Sequence, residues 1–200
     1  MKLNVALVTA RPARGLDEDE SPLYLALQAA GCNVEIAEWD DSRINWESFD
    51  IALLRSAWDY AERVTEFLAW VEKVSKLTHV LNPLPVVRWN TDKHYLAQLG
   101  KAGIATVPSQ FVEPGEDAGT AVRQFLESHT QAELVVKPAI GAGSRDTQRH
   151  RRSEVASTVA HAQRLLDAKL TEPFLFFAHA AGSAEKFTAA VLRWFQRHGD

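Results

Sequence analysis

The sequence has one cysteine in 200 residues, Cys32, so it forms no disulfide within the chain and builds no cysteine-based zinc site. That excludes a stapled secreted scaffold and makes the reducing cytoplasm the expected compartment. Cys32 follows a helix-ending glycine, with no adjacent base, which reads as packing rather than as a nucleophile. Long apolar runs are missing as well: nothing approaches the roughly 18 residues that span a bilayer, so no membrane association is expected. The apolar start over 3–9 ends at Arg11-Pro12, too short for a signal peptide, and reads as a buried first strand. An excess of one charge is also lacking. Lys and Arg total 22 against 26 Asp and Glu, a net of −4, which leaves no footprint for nucleic acid. The seven histidines are scattered and set out no zinc-helix pattern, so no residue is assigned to a metal.

What remains is an ordinary globular composition, 46% apolar and 24% charged, which excludes a disordered tail or a collagen-like fibre. After the first strand comes an acidic loop over 17–20. Ser21-Pro22 then has the form of an N-cap followed by proline at the first helical position, and the helix stops at Gly31. Short apolar strands are expected over 33–39 and 49–54, as in parallel sheets covered on both faces. Val64, Phe67, Leu68, Val71 and Val74 repeat at helical spacing, and 79–81 reads as a fourth strand. Alternating strands and helices imply a small doubly wound, parallel α/β unit over residues 1–88.

Pro83, Pro85 and a change in charge balance mark a boundary near Val87. Residues 1–88 carry 9 basic and 14 acidic side chains, the remainder 13 and 12. A second unit over 89–175 is expected to run as a helix over 91–102, a strand over 105–112, a helix on Val122, Phe125 and Leu126, a strand over 133–137, a glycine-rich loop and a helix over 153–168. Arg145, Arg149, Arg151 and Arg152 cluster beside His150, opposed only by Asp146. Such a cluster faces phosphate, or it is a solvated loop and helix start. Residues 176–200 form an atypical amphipathic tail with Phe187, Val191, Trp194 and Phe195 on one face, a surface suited to self-association.

The chemistry concentrates where the strand Leu134-Val135-Val136-Lys137 meets Gly141-Ala142-Gly143-Ser144. A lysine at a strand end presents a point charge, and glycines let backbone N–H groups approach phosphate oxygens. Together they describe a polyphosphate cradle, although the loop alone also fits a surface turn; neither the P-loop nor the dinucleotide fingerprint is satisfied. Arg55 falls at the C-terminal end of a predicted parallel strand, where open α/β sheets place ligands. Two readings stand for it: a bidentate clamp on a substrate carboxylate, or a structural pair with Asp59 while Trp58 and Tyr60 pack.

With Asn90-Thr91-Asp92-Lys93 upstream, the order Lys93, Lys137 in a Val-Lys-Pro context, then Gly141 to Ser144, resembles the ATP-grasp family. Arg55-Ser56-Ala57-Trp58-Asp59-Tyr60, Asn82-Pro83 and Arg88-Trp89-Asn90 narrow the resemblance to the branch with the O-ureidoserine cyclo-ligase that closes the D-cycloserine ring, near the ribosomal-protein glutamate ligases. The resemblance implies that the second unit is the first part of an ATP-grasp nucleotide-binding domain. It implies ATP contacts at Lys93, Lys137, Gly141, Ala142, Gly143 and Ser144, with Glu172, Phe174 and Leu175 at the adenine hinge. It also implies an ADP-forming ligase acting on an amino-acid-like, small-molecule carboxylate through an acyl phosphate, with Arg55 the catalytic candidate. The family uses Mg2+, whose ligands lie in a later segment that this sequence does not contain. A truncated or frame-shifted product is therefore expected, and a catalytically inactive nucleotide-binding or interaction remnant is the alternative.

Overall fold

The computed structural model describes residues 2–168 and the backbone of 174–178. These residues form two compact units divided between Thr91 and Asp92. The predicted tail helix lies outside the described residues.

In the first unit, β1 (Asn4–Thr9), β2 (Asn33–Glu38), β3 (Ile51–Ser56) and β4 (His79–Leu81) make an all-parallel sheet in the order β2-β1-β3-β4. The parallel α/β expectation therefore holds. Central β1 is buried on both faces, Val5 and Leu7 on one and Ala6 and Val8 on the other, which is why it reads as an unbroken apolar run. Helix α2 (Val64–Val74) buries Phe67, Val71 and Val74 against Ala6, Val8, Ala52 and Val80. Trp39 is fully buried beside them, edge-on to Phe67 at 5.5 Å and to Trp70 at 5.9 Å, and Trp70 meets Trp46 at 5.0 Å. Three of the six tryptophans are thus packing residues of one aromatic cluster, while Trp58 and Trp89 are exposed.

Helix α1 (Glu20–Ala29) begins before the predicted Ser21 cap. Asp19 is the capping position, and the Asp17 carboxylate accepts from the Asp19 N–H. Pro22 falls inside the first turn, where its missing N–H costs nothing because that donor has no intrahelical partner. The prolines taken as a boundary act similarly. Pro83 and Pro85 open α3 (Leu84–Thr91), with Val86 N–H donating to the Pro83 carbonyl. The single helix predicted over 91–102 is instead α3 followed by α4 (Tyr95–Lys101).

The second unit is an antiparallel sheet in the order β5-β8-β6-β7, from β5 (Ser109–Val112), β6 (Glu133–Pro138), β7 (Gln148–Arg151) and β8 (Phe174–Ala178). Strand β5 is shorter than predicted because Pro108, just before it, has no N–H to donate to a ladder. Helices α5 (Ala118–Ser128) and α6 (Val155–Ala168) cover one sheet face, burying Val122, Phe125, Ala162 and Leu165 with Leu134 and Val136. Asp117 caps α5 by accepting from Thr120 N–H at 2.7 Å. Strand β7 is not foreseen in the sequence, where its arginines fit a phosphate-facing cluster or a solvated loop and helix start, since three of its four residues are charged or polar and exposed. The signal was there in the alternation, because only His150 turns inward.

Candidate functional site

Strand β6 carries alternating side chains, so Leu134 and Val136 enter the helix-covered core while Val135 and Lys137 project from the opposite face. Lys137 is half-buried there, and burial pushes its ammonium below the usual lysine range. Beyond Pro138 the chain crosses to β7 through the glycine loop. Gly143, Ser144 and Asp146 all adopt left-handed backbone, with φ of 61°, 58° and 53°. Glycine takes that conformation freely, whereas serine and aspartate hold it at some cost. The turn is closed by Arg145 N–H donating to the Ala142 carbonyl at 3.2 Å and Thr147 N–H to the Ser144 carbonyl at 3.1 Å.

Lys93 approaches from the turn before α4. Its ammonium donates to the carbonyls of Ala139 and Gly141, both at 3.0 Å, and its own N–H donates to Ala139 at 3.0 Å. Lys93, Lys137, Gly141, Ala142, Gly143 and Ser144 therefore line one cavity of about 270 Å3, together with Pro138, Arg145 and Thr147. The structure brings six of the sequence-predicted residues, from Lys93 to Ser144, together around one cavity. The cavity is cationic, has a small-residue rim and contains no carboxylate among its lining residues, the electrostatics of an anion site.

At the predicted hinge, Leu175 and Phe174 stand beside Lys137 and Pro138 in the ladder between β6 and β8. Glu172 lies outside the described residues. The arginine cluster does not form one patch. Arg145 lines the cavity, Arg149 faces Glu133 at 3.8 Å, and Arg152 donates to the carbonyls of Leu126 and His129 at the end of α5.

Arg55 sits at the C-terminal end of β3, in the first unit, lining a cavity of about 210 Å3 with Trp58, Tyr60, Asn82, Asn90 and Thr91. Its partner is not Asp59. Arg55 Nε and Nη2 donate to the two oxygens of Asp17 at 3.1 and 2.9 Å, and Asp19 lies 3.7 Å away. That bidentate hydrogen bond, against some desolvation, raises the Arg55 pKa further above its ordinary value. Asp59 is engaged elsewhere, accepting from Trp39 Nε1 at 2.8 Å and from Arg63 at 3.3 Å. The sequence offers Arg145 only within a cluster that faces phosphate or is solvated, and gives no sign of Asp17 or Thr147. Asp17 stands in an acidic run without period, and Thr147 follows the recognisable glycines.

This two-unit α/β architecture is that of the ATP-grasp ligases. The fold matches a RimK-domain ATP-grasp protein from Sphaerobacter thermophilus at a TM-score of 0.62, with 18% identity over 88% of this chain and 64% of that one. Residues 5–82, nearly the whole first unit, match the family of the D-cycloserine synthetase DcsG N-terminal domain. The cycloserine biosynthesis protein DcsG of Streptomyces lavendulae is 42% identical over 163 residues, 81% of this chain and 54% of that protein. The crystal structure of D-cycloserine synthetase DcsG is similar at a TM-score of 0.79 and 38% identity, over 88% of this chain and 59% of its own. The chain is similar to D-cycloserine synthetase DcsG and shares its fold with the ATP-grasp ligases, and it spans between half and two thirds of the length of these relatives. Among the described residues, no helix is long and apolar enough to cross a membrane.

Proposed function

We propose that the cavity of the second unit binds ATP and that the protein acts as an ADP-forming ligase on an amino-acid-like carboxylate. The γ-phosphoryl group passes to the carboxylate, giving an acyl phosphate and ADP. A nitrogen nucleophile then attacks the acyl carbon and releases phosphate, closing a cycloserine-type ring or forming an amide. The observation that carries this reading is the convergence of Lys93, Lys137 and the glycine loop on one cavity. The similarity to D-cycloserine synthetase supports cyclisation as the particular reaction.

Each residue has a distinct part. Lys137, on a half-buried site whose desolvation lowers its pKa, meets the phosphates as a cation, and the bound anion favours its protonated form. Lys93 holds the loop shut through two carbonyls while adding positive charge. The N–H groups of Gly141 to Ser144 stabilise charge that develops during transfer. Arg55, its guanidinium plane fixed by Asp17, is the group proposed to hold the substrate carboxylate. The family resemblance also brings Mg2+, which takes oxygen ligands. The described residues contain no group of three or more His, Cys, Asp or Glu able to hold a metal ion, so none of them is assigned to magnesium and no step is routed through it.

Release of ADP from ATP with O-ureidoserine as substrate tests the proposal. Substrate-dependent ADP that disappears in Lys137→Ala is the expected result. ATP binding without turnover would reduce the protein to a nucleotide-binding one, and absence of both would overturn the reading.

A further inference from the structure

The loop that forms the cradle is held at its far end by two buried histidines that the proposed chemistry does not use. His150, on β7, and His161, on α6, are 6% and 2% exposed. His150 Nε2 lies 3.1 Å from His161 Nδ1, and His161 Nε2 lies 3.2 Å from the Asp146 carbonyl oxygen. Asp146 is one of the left-handed non-glycine residues of the loop, and its chain neighbours Arg145 and Thr147 both line the cavity.

The proton positions follow from what each atom can do. A carbonyl only accepts, so His161 Nε2 carries hydrogen; the neutral ring then accepts at Nδ1, and His150 Nε2 must donate to it. The chain of donors runs in one direction, His150 to His161 to Asp146.

We propose that the His150–His161 pair is a positioning device for the phosphate loop, pinning the Asp146 carbonyl so that Arg145, Thr147 and the glycine amides present one fixed surface to the nucleotide. The pair pins the loop through one directed chain of hydrogen bonds, His150 to His161 to Asp146. The surroundings favour the neutral state. Desolvation lowers both pKa values and Arg164 and His150 add to this at His161, while Glu154 near His150 and, at His161, the hydrogen bond to the Asp146 carbonyl and then the Asp146 carboxylate oppose it. From β6, Leu134 stands opposite His150 in the register, and α5 supplies the apolar Val122 and Phe125 to the same core layer.

The inference rests on the cavity being a nucleotide site, and its test separates the two. ATP is titrated into full-length wild type, His161→Leu and His161→Gln, the last keeping an amide N–H at the ring's reach. The expected result is about a tenfold weaker Kd for H161L, the scale of one buried hydrogen bond, with H161Q much nearer wild type. Folded H161L binding ATP as tightly as wild type would overturn the proposal while leaving the ATP site intact. Should H161L fail to fold, or wild type fail to bind ATP, wild-type NMR decides alone. The 15N ring spectra must show Nε2–H on both histidines. An Nδ1–H tautomer at His161 would equally overturn the pinning role.

Discussion

Lys93 and Gly141 are joined by a 3.0 Å hydrogen bond from the lysine ammonium to the glycine carbonyl. The cation proposed to meet phosphate is thus also a structural tie to the glycine loop, and the second tie to Ala139 makes it a two-point staple. Two roles in one side chain separate under substitution. Lys93→Met keeps the stem and loses both, so ATP affinity should fall by roughly ten- to a hundredfold, the range for hydrogen bonds to charged groups. Lys93→Arg keeps the charge with altered reach and should recover part of it. Calorimetric titration of the two variants checks the ordering.

Lys137 gives opposite pH signs for binding and for stability. Its folded pKa is lowered by burial, so between that value and the ordinary lysine value the unfolded chain binds more protons. Stability of the nucleotide-free protein therefore rises with pH through this window. Nucleotide affinity falls through the same window, because binding needs the ammonium charged. ATP titrations and urea melts from about pH 7 to about pH 10 should show the two trends crossing, and Lys137→Arg should flatten both.

The Arg55–Asp17 pair is asymmetric in burial, 29% exposed for the arginine side chain against 6% for the aspartate. Removing the arginine strands a buried carboxylate, whereas removing the aspartate leaves a guanidinium that water reaches. Arg55→Ala should therefore cost about 1–3 kcal/mol, with Asp17→Ala nearer 1 kcal/mol. Urea unfolding measures both. Equal losses would mean that the pair is effectively solvated.

Trp39 joins packing to hydrogen bonding. It is 1% exposed, donates to Asp59 at 2.8 Å and carries the Arg63 guanidinium 4.4 Å from its ring centre. Trp39→Phe should cost about 1–3 kcal/mol through the lost donor and smaller ring, and Trp39→Ala about 3–5 kcal/mol. Thermal melts followed by tryptophan fluorescence would check the order.

The sequence was most readable where one physical demand acted alone. The apolar run of β1 announces a strand buried on both faces, and Phe67, Val71 and Val74 announce the buried stripe of α2. Val-Lys-Pro followed by two glycines pointed to a cradle, although the loop alone also fits a surface turn, and the structure sets these residues around one cavity. What stayed hidden depended on distant partners. The loop between β3 and α2 offered Asp59 to Arg55 by proximity, while Asp17, 38 positions away, is brought in by the parallel crossing of β1 beside β3. Strand β7 was masked by its arginines, since its place in the sheet comes from pairing with β6 and not from its own composition. Pro83 and Pro85 punctuate the chain either as a break or as a helix start, and only the packing of α3 on α2 decides between them.

The most direct test is calorimetric titration of ATP into the full-length chain beside Lys137→Ala. Saturable heat in the wild type that vanishes in the variant, with an unchanged melting profile, is the predicted result. A wild-type titration flat against buffer, or an identical Kd in the two proteins, would contradict the assignment of this cavity to the nucleotide phosphates.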